Sequence, residues 1–156
     1  MRVGITGHSN LVPTCVPLVR QGILNVLGQF PPPVVGVTCL APGADQVFAR
    51  AVLDVGGAVE VVLPALDYRD KLKPHQVDEY DELRSRATVV SVLPLQYSGR
   101  NAYVAANQRM LASVELLIAV WDGQPGGRGG TAEVVEEAQA SGVPVEVVWP
   151  DGAKRG

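Results

Sequence analysis

The fold is decided by a stretch that reads Leu117-Ile118-Ala119-Val120-Trp121-Asp122-Gly123 and continues as Gln124-Pro125-Gly126-Gly127-Arg128-Gly129-Gly130-Thr131-Ala132-Glu133. Its apolar half has the length of a buried strand, its glycine-rich half is typical of a loop, and helical spacing of apolar residues begins at Thr131. Glycines let backbone N–H groups turn inward, and the first turn of a helix offers unpaired N–H donors with a partial positive charge. A strand, a glycine-rich loop and a helix N-terminus in this order predict an anion-binding site.

The composition is that of a globular domain without a basic surface. The chain has 156 residues, of which 47% are hydrophobic and 19% charged, and its formal net charge is −3. Nucleic acids and anionic membranes reward a basic surface, so we expect a nucleic acid to be an unlikely partner and no membrane to be bound. No apolar run approaches the roughly 20 residues of a membrane span. We predict one domain over residues 1–150, a short polar tail over residues 151–156, and a cytoplasmic location.

No metal or cofactor signature is present in the sequence. The only cysteines, Cys15 and Cys39, lack metal-ligand spacing and are expected to be buried and reduced. The HExxH and CxxC motifs are absent, and so is the lysine-serine pair of a phosphate-binding P-loop. We therefore predict neither a metal nor a cofactor.

Short apolar runs alternate with longer segments of helical spacing along the chain. Strands are predicted at residues 2–5, 34–40, 58–63, 88–93, 115–121 and 145–149, and helices at residues 13–28, 44–55, 71–86, 99–113 and 131–141. Such alternation implies parallel strands joined by right-handed crossovers, and hence an α/β fold, a three-layer αβα sandwich with a mainly parallel sheet. Ligands of open parallel sheets bind beyond the carboxyl ends of the strands, so we expect the loops after the strands to form one site.

The first strand and its loop differ from a dinucleotide-binding fingerprint. They read Gly4-Ile5-Thr6-Gly7-His8-Ser9, without the third glycine of G-x-G-x-x-G. The second strand ends at Leu40-Ala41, where a dinucleotide-binding protein has an acidic residue for the ribose. A dinucleotide cofactor is therefore not expected.

Several short motifs occur in the order that is typical of one superfamily. They are Gly4-Ile5-Thr6-Gly7-His8-Ser9, Ala41-Pro42-Gly43-Ala44-Asp45, Val55-Gly56-Gly57-Ala58, Ala106-Asn107-Gln108-Arg109-Met110, Trp121-Asp122-Gly123 and Gly129-Gly130-Thr131-Ala132-Glu133. Over nearly its whole length the chain resembles the SLOG superfamily, which includes the Lonely Guy phosphoribohydrolases and the Rossmann-like domain of DNA-processing protein A. The resemblance implies a Rossmann-like fold that binds nucleotides or nucleotide-derived ligands, often as a homodimer.

The resemblance also suggests two catalytic candidates, Glu133 and Arg109. Lonely Guy enzymes read P-G-G-x-G-T-x-x-E, with a catalytic glutamate three residues after the threonine and an arginine on the preceding helix. Here Val134 stands at the position of that glutamate, and Glu133 is the nearest acid. Ala106 stands at the position of the arginine, although Arg109 or Arg100 could reach the site from another position on this helix. These departures favour a ligand-binding or sensing domain, with a phosphoribohydrolase as the alternative.

The expected ligand contacts lie in the loops that follow the strands and at the helix starts. They are Gly7, His8, Ser9, Gly43, Ala44, Asp45, Asn107, Trp121, Asp122, Gly123, Gly129, Gly130 and Thr131. The amides of the last two glycines and the Thr131 hydroxyl suit a phosphate, and Asp122 suits a ribose hydroxyl or an amine.

Each of these side chains also has a purely structural interpretation. Thr131 is a typical helix N-cap, and an aspartate before a glycine, such as Asp122, is ordinarily a turn former. Asp45 is placed to cap its helix, whereas His8 is either a general acid with a pKa close to neutral or a loop histidine bonded to the backbone. A nucleotide-like small molecule is the expected ligand.

Overall fold

The computed structural model describes residues 1–126 and 130–156. The six strands are β1 (Arg2–Gly7), β2 (Val35–Thr38), β3 (Ala58–Leu63), β4 (Val89–Val92), β5 (Leu116–Val120) and β6 (Val145–Val147). They form one sheet in the order β4-β3-β2-β1-β5-β6, and every neighbouring pair is parallel. The predicted parallel α/β sheet is therefore confirmed.

Helices cover both faces of the sheet. They are α1 (Val16–Leu27), α2 (Ala44–Asp54), α3 (Val77–Ser85), α4 (Arg100–Ser113) and α5 (Thr131–Ala140). Buried residues of α1, α2 and α3 share one apolar cluster with the sheet, and buried residues of α4 and α5 share a second cluster on the other face. This arrangement confirms the predicted αβα sandwich.

One helix begins later than its sequence pattern suggests. The predicted helix over residues 71–86 starts at Val77, because Arg69–Lys71 and Pro74–Gln76 form two separate 3-10 turns. Pro74 has no backbone N–H and cannot continue a helical ladder from the preceding residues. The segment after β3 therefore crosses the end of the sheet before α3 begins.

The order of the strands reverses at β1. The chain proceeds from β1 through β2 and β3 to β4 on one side, and then returns to add β5 and β6 on the other side of β1. Crossovers that leave the sheet in opposite directions open a crevice at the carboxyl ends of β1 and β5. Both strands are apolar and deeply buried, as expected for the centre of a parallel sheet; Val3, Ile118 and Val120 are completely shielded from solvent.

Residues 154–156 are hydrogen-bonded to the loop after β1 through Lys154 and Gly156. The Val12 N–H donates to the Lys154 carbonyl at 2.9 Å, and the Gly156 N–H donates to the Asn10 carbonyl at 2.8 Å. The C-terminal segment, predicted to be a short polar tail, thus lies next to the carboxyl end of β1. Cys15 and Cys39 are both free thiols, and among the described residues there is no helix with the length and apolarity required to cross a bilayer.

Candidate functional site

A cleft of about 560 Å³ opens at the carboxyl ends of the central strands. Such a volume is in the range of pockets that hold small-molecule ligands. Its lining comes from the loops after β1, β2, β3 and β5, from α4, and from the C-terminal segment. Among the residues that line it are Gly7, His8, Ser9, Asp45, Lys71, Tyr103, Ala106, Asn107, Trp121, Gly130, Thr131 and Arg155.

His8 connects the loop after β1 with the loop after β5. Its backbone N–H donates to the Val120 carbonyl at 3.2 Å, and its Nε2 accepts the backbone N–H of Asp122 at 3.2 Å. The imidazole is almost completely buried and meets the Trp149 ring edge to face, with 5.5 Å between centroids. Burial and the nearby positive charge of Arg155 lower the pKa of His8. The lowered pKa favours the neutral imidazole, whose Nε2 accepts the Asp122 N–H.

The Asp122 carboxylate lies next to this histidine, with its Oδ1 3.3 Å from Nε2 of His8. Its Oδ1 accepts the backbone N–H of Gln124 at 3.0 Å, and this bond is the main reason that the pKa of Asp122 is lowered. The other carboxylate oxygen is 3.6 Å from Nη1 of Arg155. The bond to Gln124 is the local turn expected of an aspartate before a glycine. Trp121 and Gln124 line the cleft beside it, whereas Asp122 and Gly123 are outside the lining.

Asp45 is a carboxyl group that lines the cleft, and its pKa is shifted in the opposite direction to that of Asp122. It lies in the first turn of α2 and is only 8% exposed, and its Oδ2 accepts the backbone N–H of Ala41 at 3.2 Å. Burial raises the pKa of Asp45 to about 7, because the charged form loses its hydration. At neutral pH this group is able either to donate or to accept a hydrogen bond from a ligand.

Gly43 and Ala44 hold the start of α2 against the loop after β1. The Ala44 N–H donates to the His8 carbonyl at 3.1 Å, and Gly43 has a φ of +84°. A Cβ atom on Gly43 would lie 2.6 Å from that carbonyl oxygen. Both residues lie outside the lining, so their predicted role as ligand contacts stays a prediction, while their role in the backbone is evident.

The start of α5 differs in one respect from the sequence interpretation. The residue that caps the helix is Gly130, which is extended and makes no side-chain capping bond, and Thr131 is the first helical residue. The interpretation of Thr131 as the N-cap is therefore wrong. Thr131 and Gly130 line the cleft together, and Thr131 is 9% exposed. Gly129, which was also predicted to bind the ligand, lies outside the described residues.

The two catalytic candidates lie away from the described lining of the cleft. Arg109 is exposed on α4, and Glu133 is partly buried on α5. Successive residues of a helix point about 100° apart, and α4 directs Tyr103, Ala106 and Asn107 at the cleft. Val134, at the family position of the catalytic glutamate, is 2% exposed within the apolar cluster under α5.

Two cations in the cleft were not predicted from the sequence. Lys71 comes from the 3-10 turn after β3, and Arg155 comes from the C-terminal segment. No local pattern marks either residue, because each reaches the cleft through the path of a loop or through a long-range pairing.

The comparisons with known proteins identify the fold. No family model and no curated protein matches the chain. DNA processing protein A (DprA) from Streptococcus pneumoniae superposes with a TM-score of 0.67 at 19% identity over 94% of this chain and 49% of that one. DprA from Helicobacter pylori is described for its unique single-stranded DNA binding mode. It superposes with a TM-score of 0.63 at 16% identity over 94% of this chain and 64% of that one. The molybdenum cofactor carrier protein from Chlamydomonas reinhardtii superposes with a TM-score of 0.58 at 16% identity over 94% of this chain and 74% of that one.

These likenesses correct one expectation about partners. The chain spans about half the length of the Streptococcus protein, and identities this low establish the fold alone. The prediction that a nucleic acid is an unlikely partner is nevertheless wrong, because a protein that shares this fold, DprA from Helicobacter pylori, binds single-stranded DNA. Net charge averages over the whole surface, whereas binding depends on the few cations at the site; here Lys71 and Arg155 line the cleft.

Proposed function

From the premise that this chain has the Rossmann-like fold of the SLOG superfamily, as its motifs imply, we propose that it is a ligand-binding or sensing domain. Its ligand is a nucleotide or a nucleotide-derived small molecule, bound in the cleft. The observation that carries the proposal is that α2 and α5 both begin at this cleft, α2 through Asp45 and α5 through Gly130 and Thr131. The N-termini of two helices give one cleft a positive potential, which suits a phosphate. At α2 the Ala44 N–H is already bonded to the His8 carbonyl, so the N–H donors offered to the ligand are those at the start of α5.

The remaining lining suits the sugar and the base. Asp45 can accept or donate a hydrogen bond to a ribose hydroxyl, and Asn107 offers an amide on the opposite wall. Tyr103, one turn before Asn107 on α4, is 39% exposed and provides a ring face for a base. Ser9 and the neutral His8 add hydrogen-bonding groups between these two ends of the ligand.

The first test incubates the protein with a panel of nucleoside monophosphates. It measures the melting temperature of the protein and the release of free base. We expect at least one nucleotide to raise the melting temperature without release of base. Thr131→Val keeps the side-chain volume but removes the hydroxyl, and we expect roughly a threefold to tenfold weaker affinity for that nucleotide. Thr14→Val, at an exposed position outside the lining, is the matched control and leaves the affinity unchanged.

A phosphoribohydrolase of the Lonely Guy type is the enzymatic alternative. It needs a carboxylate that faces the sugar, whereas Glu133 and Arg109 are outside the described lining. Release of base that is abolished by Glu133→Gln would establish this alternative, and binding without product would support the sensor.

Binding of single-stranded DNA is a second candidate function, and the fold shared with the two DprA proteins favours it. Fluorescence anisotropy with a labelled oligothymidylate checks it at two salt concentrations, because phosphate contacts make the affinity fall steeply with salt. Saturable binding that an excess of mononucleotide displaces would place the strand in the same cleft.

We further propose that the protein is cytoplasmic, in keeping with its two free thiols, and that it forms a homodimer. Sedimentation equilibrium measures the second point directly: a single species of monomer mass at micromolar concentration would contradict it.

A further inference from the structure

The C-terminal segment holds one arginine at the rim of the cleft. Residues 154–156 are fixed to the loop after β1 by the bonds from Val12 N–H to the Lys154 carbonyl and from Gly156 N–H to the Asn10 carbonyl. The Asn10 side chain adds a bond from Nδ2 to the Gly156 carbonyl at 2.6 Å. The backbone of Arg155 is therefore positioned from both sides, although its side chain is 42% exposed.

The guanidinium of Arg155 is only loosely engaged by protein groups. Its Nη1 lies 3.6 Å from Asp122 Oδ2, whereas other arginine–carboxylate pairs of the chain are at 2.6 Å (Arg20 and Asp54) or 2.8 Å (Arg69 and Asp81). Within the described part of the chain, the guanidinium of Arg155 donates no hydrogen bond. A guanidinium has five N–H donors in a planar fork, and most of them remain available to a ligand.

The position of Arg155 relative to the sheet matches the phosphate end of the cleft. Its ion-pair partner Asp122 directly precedes the glycine-rich loop that leads to Thr131 at the start of α5. Lys71, the other cation that lines the cleft, follows β3, which is separated from β5 by β2 and β1. α4, from which the family resemblance suggests an arginine, presents Ala106 instead. Beside the glycine-rich loop, Arg155 is therefore the cation that the described residues supply.

We infer that Arg155 recognises the phosphate monoester of the bound nucleotide, together with the backbone amides at Gly130 and Thr131. This inference rests on the proposed function. On binding, the guanidinium exchanges its long contact with Asp122 for a charge-assisted, bidentate contact with the phosphate. The lowered pKa of His8 disfavours a protonated imidazole, and the lowered pKa of Asp122 favours a carboxylate. Among the described residues on this side of the cleft, the charge that balances the phosphate therefore comes from Arg155.

The test compares Arg155→Gln with the wild type in calorimetric titrations of adenosine 5′-monophosphate and of adenosine. Lys154→Gln removes the same charge one residue earlier in the same segment, from a side chain outside the lining, and is the matched control. We expect Arg155→Gln to weaken binding of the monophosphate at least about tenfold, with adenosine bound as by the wild type. Lys154→Gln is expected to bind both within about twofold of the wild type. Urea unfolding of each variant verifies that the fold is intact.

Three results would overturn the inference. In the first, Arg155→Gln binds the monophosphate with wild-type affinity. In the second, the variant loses affinity equally for the monophosphate and for adenosine. In the third, the loss of affinity is confined to an oligothymidylate tested in parallel. A titration with inorganic phosphate separates this inference from the proposed function. If phosphate binds in an Arg155-dependent manner while no nucleotide binds, the nucleotide proposal fails and Arg155 still stands as an anion-binding residue. If nucleotides bind regardless of Arg155, the proposed function stands and this inference fails.

Discussion

The two walls of the cleft use glycine for different purposes. On the β1–α2 wall, Cβ atoms on Gly7 and Gly43 would lie 2.4 Å from the Ala44 Cβ and 2.6 Å from the His8 carbonyl oxygen. On the β5–α5 wall, Gly123 and Gly126 have no described atom within 4 Å of the same hypothetical position. Glycine on the first wall permits two loops to pack against each other. On the second wall it leaves space and exposed backbone, which a ligand can use.

The two carboxyl groups show the same contrast. Asp45 on the first wall is buried, and the loss of hydration raises its pKa to about 7. The bond from the Gln124 N–H, together with the nearby positive charge of Arg155, lowers the pKa of Asp122 on the second wall. The first wall is thus tightly packed, with a carboxyl that is only partly ionised at neutral pH, and the second wall is open and carries Arg155 beside the Asp122 carboxylate. A ligand whose sugar faces the first wall and whose phosphate faces Arg155 fits this division.

The largest expected effect is that of Gly43→Ala. The methyl group would meet backbone atoms of His8 and Ser9 at 2.6–2.8 Å, at a residue with a φ of +84°, so we expect a loss of about 3 kcal/mol in the free energy of unfolding. Gly123→Ala is the matched control, because its φ is +81° and its surroundings are open; we expect a loss of about 1 kcal/mol. Urea denaturation measures both, and equal losses would mean that the two walls are packed alike.

The next effect is on the pH dependence of stability, through Asp45. Because its folded pKa of about 7 is above the ordinary value of 3.8, the folded state keeps a proton that the unfolded state has lost between these pH values. The stability of the wild type should therefore fall as the pH rises from about 4 to about 7, by at most about 1.4 kcal/mol per pH unit. Asp45→Asn keeps an acceptor for the Ala41 N–H and should remove this slope.

Unfolding curves of both proteins at several pH values between about 4 and 8 test this expectation. If the difference in the free energy of unfolding between the wild type and Asp45→Asn does not change with pH, Asp45 titrates at its ordinary pKa. Above pH 7 the difference should be constant, since the carboxyl is then ionised in the folded and unfolded states alike.

The smallest expected effect on stability is that of Gly126→Ala on the open wall. No described atom lies within 4 Å of the added methyl group, and its φ is not in the left-handed region, so the free energy of unfolding should change by less than about 0.5 kcal/mol. Because Gly126 lines the cleft, the same variant should weaken the affinity for a nucleotide measurably. A large loss of stability would instead assign this loop to the packed part of the molecule.

The family pattern was a better guide to the fold than to the chemistry of the site. The order of the motifs predicted the sheet correctly, because strand-forming runs and glycine turns are local features. Glu133 was singled out as the nearest acid to a family position, yet the cleft receives Thr131 and Ala132 from that turn. Which residues of a helix face a ligand depends on how the helix is rotated against the sheet, and that rotation is set by buried residues such as Val134 and Ala138.

The sequence by itself determined the parallel α/β architecture and the edge of the sheet at which the loops meet, through the alternation of which the glycine-rich stretch is one unit. Apolar runs of strand length, alternating with helical segments, can be buried only as a covered parallel sheet, whose loops meet at one edge. Only the tertiary structure decided which charges enter the cleft. Burial lowers the pKa of His8, and Arg155 reaches the cleft through pairing with a loop more than 140 positions earlier in the sequence. Both effects depend on contacts between distant segments, which no local pattern of residues encodes.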